Sequence, residues 1–242
     1  MIRTIASRLL LVLLTTGLMS SSAWSSEHGA KGIFYNGSGP TVMAKGSQSS
    51  GAVRPAAPTT TAGKEDYMGL SYWVELVAND GQKKRVTTDY VFKGGDRIKL
   101  HVQSNRNGYL YLMNIGSTGR THMLFPNPAM GVGSNAMRAN LDYEVPYSSY
   151  IRFDENPGEE RLLVMLSPTP MGDIAPTAEP RTATLTAEDA ARLLMSAEAK
   201  GAKDLILEVD TTSAQPAGYA VAPVALLKDG GMITLQIKLK HQ

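Results

Sequence analysis

The sequence predicts a mainly β chain, an antiparallel β-sandwich of about ten strands with one packed helix near the C-terminus. Three observations carry that expectation. Ile98, Leu100 and Val102 alternate with Lys99, His101 and Gln103, the period of a strand with one apolar and one wet face. Residues 109–115 are apolar or aromatic at nearly every position, as in a central strand covered on both sides. Gly, Asn, Asp and Pro recur at hairpin spacing, whereas helical periodicity is convincing only after Thr186.

Residues 1–25 have the three parts of a secretory signal. Arg3 and Arg8 precede the apolar run 9–14, and small residues lead to Ala23-Trp24-Ser25. The run is too short to span a bilayer, so cleavage after Ser25 and no remaining transmembrane anchor are expected. The whole chain has 24 Lys and Arg against 22 Asp and Glu. Two of the arginines lie in the signal, which leaves 22 against 22 and a neutral mature chain. That balance offers no electrostatic footprint for nucleic acid or an anionic membrane. There is no cysteine, which excludes disulfides, thiol chemistry and acyl-cysteine anchoring.

Residues 26–66 are rich in Gly, Ser, Pro and Thr and read as a disordered segment with a short apolar patch at 32–43. Ile33 to Tyr35 is expected to dock on the body as a strand completing a sheet edge, with a linear motif for a partner as the alternative. A single β-sandwich domain is expected over 67–242. Strands are predicted at 70–78 and 84–92 around the turn Asn79-Asp80-Gly81, then at 98–103, 109–115 and 120–125, with Gly116 to Gly119 as a hairpin loop. Residues 126–140 form a loop whose Gly131-Val132-Gly133 lacks the third glycine and the following helix of a phosphate cradle. Short strands at 141–145 and 148–153 flank Pro146, which favours an edge or a break. The acidic stretch 154–160 carries suitable hard ligands for calcium but not the ligand order of a calcium loop, and Pro157-Gly158 suits a plain turn. A buried strand follows at 161–167. After a Pro-rich surface stretch, Thr186 to Asp189 approximates a capping box, and Ala190, Leu193, Leu194 and Ala197 form a helical stripe ended by Gly201. Final strands are expected at 204–209, 219–227 and 232–240, the last alternating apolar and polar.

The order V-F-K-G-G-D-R-I-K-L, N-G-Y-L-Y-L, L-F-P-N and then F-D-E-N-P-G-E-E-R-L-L-V-M-L-S resembles a bacterial family known only as a domain of unknown function (DUF 4384). The resemblance covers residues 70–168 and implies an extracytoplasmic β domain without an agreed activity.

No motif names a reaction. The four histidines lack paired metal-ligand spacing, and His101, on the polar face of its strand, reads as an ordinary exposed imidazole. Gly37-Ser38-Gly39 lacks the spacing of a nucleophile elbow. No catalytic residue, cofactor or metal is therefore expected. Tyr109 and Tyr111, with Arg120, His122 and Phe125 on the neighbouring strand, form the candidate ligand or partner surface, set against the alternative that both tyrosines are core. The functional expectation is an exported, non-catalytic interaction or accessory module of the cell envelope that contacts another envelope protein, periplasmic or extracellular. Glycan or peptidoglycan binding is the alternative, and a hydrolase with a site invisible in sequence is the third reading.

Overall fold

The computed structural model describes residues 29–40, 64–78, 80–127, 134–171 and 185–242. The expected export signal, residues 41–63 of the expected disordered segment and the Gly131-Val132-Gly133 loop lie outside the described residues. Two β-sheets face each other across one core. The first sheet runs β10(Ile151–Arg152), β5(Arg97–Ser104), β2(Lys64–Val77), β13(Ala217–Pro223) and β12(Ile206–Asp210). Onto it pair β1(Ser38–Pro40) and β3(Lys83–Val86), both against β2, and β9(Asp142–Val145), against β5. The second sheet runs β4(Val91–Phe92), β14(Ile233–His241), β11(Gly158–Ser167), β6(Gly108–Ile115) and β7(Thr121–Phe125), with β8(Ala136–Met137) added to β6. Every strand pair is antiparallel except β4 with β14.

The core between the sheets is built from alternate residues. Leu70, Val74, Ile98, Leu100 and Val102 come from the first sheet, and Leu110, Leu112, Leu162, Val164 and Leu166 from the second. Each side chain so buried contributes roughly 1.5–3 kcal/mol. In β14, Ile233, Leu235, Ile237 and Leu239 are buried and the residues between them are open or half-open, as the alternation predicts. β6 is covered on both faces: Tyr111, Met113 and Ile115 point away from the inner core and join Leu163, Met165, Leu193 and Ala197 in a second cluster. The helix α2(Ala187–Lys200) supplies Leu193 and Ala197 to that cluster. Its Thr186 cap accepts from the Asp189 amide at 3.1 Å and donates to the Asp189 carboxylate at 2.8 Å.

Three local expectations need correction. Residues 84–92 are not one strand. The chain turns after β3, with the Tyr90 amide bonded to the Thr87 carbonyl at 3.1 Å, and β4 enters the opposite sheet, where Phe92 stacks on Phe153 at 4.5 Å. The 219–227 strand stops at Pro223 and continues as 3-10 turns, Val224–Gly230. The apolar patch near Ile33 docks, but as a helix, α1(Ala30–Asn36), followed by the edge strand β1. A strand would send Ile33 and Phe34 to opposite faces. One helical face buries both with Ala30, against Tyr67, Tyr219 and Val221 on the outer side of the first sheet. Gly37, at φ 67°, closes this helix with its N–H on the Ile33 carbonyl.

Candidate functional site

α1 covers one half of the outer face of the first sheet. On the other half the β2–β5 register sets Trp73 opposite His101 and Glu75 opposite Lys99. The β5–β9 register sets His101 opposite Glu144 and Gln103 opposite Asp142, and the β2–β3 register sets Glu75 opposite Arg85. Direct and diagonal neighbours on one sheet face are within side-chain reach. Four strands therefore converge on His101.

The imidazole lies parallel to the Trp73 indole, centroids 4.8 Å apart and planes 11° apart. From the strand on the other side of β2, the Arg85 guanidinium sits 3.8 Å over the same indole. His101 Nδ1 lies 2.9 and 3.1 Å from the two Asp142 oxygens, a pairing satisfied by an Nδ1–H donor. That tautomer leaves a lone pair on Nε2, which is buried, makes no hydrogen bond, and stands 3.6 Å from Glu75 Oε1. Lys83 Nζ is 2.9 Å from Glu75 Oε1 and 3.6 Å from Glu144 Oε2, so one ammonium bridges two carboxylates. Lys99 Nζ donates to Glu144 Oε1, and at 3.0 Å to the Tyr147 carbonyl. Burial pushes the Glu144 carboxyl up, but the Lys99 hydrogen bond and the charges of Lys99 and Lys83 outweigh it and hold it below the usual range. The hydrogen bond to Glu75 raises Lys83 above the ordinary lysine value against a smaller desolvation effect. Next to this network the ring of Tyr150 takes Lys99 and Arg97 at 5.0 and 5.1 Å, and Tyr147 is 68 % exposed. A depression of about 450 Å³ lies over the cluster, lined in part by Trp73, Glu75, Lys83, Arg85, His101 and Asp142.

His101 is thus not an exposed imidazole. Only 7 % of it is accessible, because partners on β2 and β9 close over it. Lys99, on the same supposedly wet side, is 5 % accessible. Chemically the His101–Asp142 pair is the base-and-orienter half of a nucleophilic site, but the group nearest Nε2 is a carboxylate, not a hydroxyl. Glu75, His101 and Glu144 each offer one ligand atom within 4.8 Å of the others.

The surface expected from sequence is distributed differently. Tyr111 is core, its hydroxyl accepting from the Met171 amide at 2.9 Å, and Tyr109 is half-buried beside the same cluster. Phe125 is buried in the inter-sheet core. Arg120 is exposed at the β6–β7 loop, and His122, paired across from Asn114, is half-buried. Tyr111 and Phe125 contribute to two different apolar clusters, so the five residues do not form one surface. The acidic 154–160 stretch makes a local turn in which Asp154 accepts from the Asn156 amide at 2.8 Å and from its side chain at 2.9 Å.

A second depression, about 560 Å³, lies between α1 and β12. Its charges answer one another: Lys31 Nζ is 2.6 Å from Asp210, and Glu208 accepts the Lys31 amide at the start of the helix. The Lys31 hydrogen bond holds the Asp210 carboxyl far below its usual range.

Residues 91–170 match a family described as a domain of unknown function (DUF4384). The match runs from β4 through β11. It contains Lys99, His101, Asp142 and Glu144, whereas Trp73, Glu75, Lys83 and Arg85 come from strands that precede it. No curated protein and no solved structure matches the chain. Among the described residues no helix is long and apolar enough to cross a membrane.

Proposed function

We propose that the protein is an exported, non-catalytic interaction module of the cell envelope, and that it meets a protein partner through the α1-free half of the outer face of the first sheet. The supporting observation is the grouping of Trp73 and Arg85 on the sheet face, and of Tyr147 and Tyr150 on the loop between β9 and β10, around one charged network. Tyr, Trp and Arg are the side chains that most often carry interface energy, because they combine large contact area with polar reach. Here Arg85 and Tyr150 are already held by cation–π contacts, which lowers the ordering cost of association. Charges of both signs surround them, which favours a partner of mixed charge over a uniformly anionic one. Export is supported by the composition of residues 1–25.

Glycan binding is the weaker reading. Arg85 and His101 approach the Trp73 indole from strands on opposite sides of β2, which leaves little open ring face for a sugar. The test is in-cell crosslinking followed by affinity capture of wild type and of the triple variant Arg85→Ala, Tyr147→Ala, Tyr150→Ala. One envelope protein should be recovered near stoichiometry with wild type and be lost at least tenfold with the variant, while thermal unfolding stays intact. Equal recovery from both proteins would remove this face as the interface, and retention on cell-wall sacculi without a protein partner would favour the glycan reading.

A further inference from the structure

The groups facing His101 Nε2 form a more specific arrangement than a surface ion-pair network. We infer that Glu75, His101 and Glu144 form a binding site for a first-row divalent cation, with zinc as the reference ion, and that Lys83 is the protein's own occupant of that site. This inference stands independently of whether a partner protein docks on the same face.

His101 carries it. A nine-tenths buried imidazole keeps one nitrogen bonded to a carboxylate and leaves the other without a hydrogen bond among carboxylate oxygens. Burying an unpaired polar nitrogen is costly, so the position calls for a group that accepts its lone pair. Histidine ligands are commonly fixed in this way, with the second ring nitrogen on a carboxylate that sets tautomer and ring orientation, the part Asp142 plays here. Stacking on Trp73 restricts rotation of the ring.

The carboxylates meet the same requirement. Glu75 Oε1 and Glu144 Oε2 share the Lys83 ammonium, which therefore sits where a cation would have to sit. Lys83 is half exposed on a flexible stem and free to leave, whereas Lys99 is buried and keeps Glu144 oriented through its other oxygen. Exchanging a single positive charge for a double one between two anions is electrostatically favourable. It also supplies the Nε2 lone pair with an acceptor. One nitrogen and two carboxylate oxygens, with the remaining positions open to water, form a ligand set that zinc accepts. Ligands around such an ion stand roughly 3–3.5 Å apart. The three ligand atoms already lie within 4.8 Å of one another, Nε2 and Glu75 Oε1 at 3.6 Å, so small side-chain adjustments of the glutamates would close the set around an ion.

The test is titration of the purified full chain with Zn²⁺ by calorimetry and with Co²⁺ by visible absorption. One equivalent is expected to bind, shifting the His101 ring resonances. Glu75→Gln and Glu144→Gln should each weaken Zn²⁺ binding at least tenfold, and Asp142→Asn by about 10–100-fold. Lys83→Met is the deciding variant: it removes a competitor and should tighten Zn²⁺ binding by up to about fivefold, the value of an exposed ion pair. Lys83 is on the surface, so this variant stays informative even if the glutamine variants fold poorly. Absence of saturable binding of either ion, binding unchanged in both glutamine variants, or binding weakened by Lys83→Met would overturn the inference.

Discussion

Lys99 and His101 show what strand alternation conveys and what it leaves out. Their period placed them correctly on the face opposite Ile98, Leu100 and Val102, but it could not say that the face would be closed. The closing residues, Asp142 and Glu144, lie more than 40 positions away, and nothing local to β5 announces them. A nearer signal existed in β2, where Trp73 and Glu75 alternate with Val74 and Leu76 and so fall together on the outer face. At this scale the consequence is electrostatic. Glu144→Gln leaves the buried Lys99 ammonium with a neutral partner and should cost about 1–3 kcal/mol in urea unfolding. The depressed folded-state pKa of Glu144 means that its stabilisation is present above the unfolded value, near 4.5, and is lost as pH falls below it. Lys83, raised above 10.5, contributes fully below that value and loses its contribution as pH rises beyond it. Stability measured against pH should therefore decline at both ends, with a shallower acid limb in Glu144→Gln. An unchanged acid limb would assign acid sensitivity to other carboxylates.

Among the elements, α2 was legible because its cap, stripe and terminating glycine are all local. α1 was not, because seven residues carry too little periodicity to distinguish helix from strand. What makes it helical is tertiary. Glu208 accepts the amide at its first turn, and Asn105 spans from the Gly69 amide at 2.8 Å to the Phe34 carbonyl at 3.1 Å. Gly69 lies beneath it, where an added Cβ would sit 2.5 Å from a Val221 methyl and 3.3 Å from Phe34. Phe34→Ala should destabilise the protein by about 3–5 kcal/mol. Gly69→Ala should cost about 1–3 kcal/mol through overpacking. Asn105→Ala should raise amide exchange throughout Ala30–Asn36 while leaving α2 protected. Uniform exchange in both helices after that change would mean that Asn105 holds the sandwich as a whole and not the docking of α1.

The whole molecule is layered, with α1 on the outside of one sheet, two sheets sharing a core, and α2 on the outside of the other. Sequence patterns gave the two-sheet class because nearly every strand alternates or is fully covered, but pairing across long separations was not readable from them. Among the described residues, the 91–170 segment contains eight of fourteen strands yet lacks β2 and β14, the neighbours of β5 and β11. Expressed alone, it should show no cooperative thermal transition, because the inner faces of both sheets lose a central strand; a sharp transition with dispersed amide resonances would contradict this. The proposed recognition surface is the half of the first sheet's outer face that α1 does not cover, and its most direct test is a photo-crosslinking residue placed singly in living cells. At Tyr147, beside the His101 network, it should give one discrete crosslinked species, and at Met195, which is 70 % exposed on α2, it should give none. A discrete species at Met195 with none at Tyr147 would place recognition on the opposite side of the molecule and contradict the assignment of the first sheet's outer face.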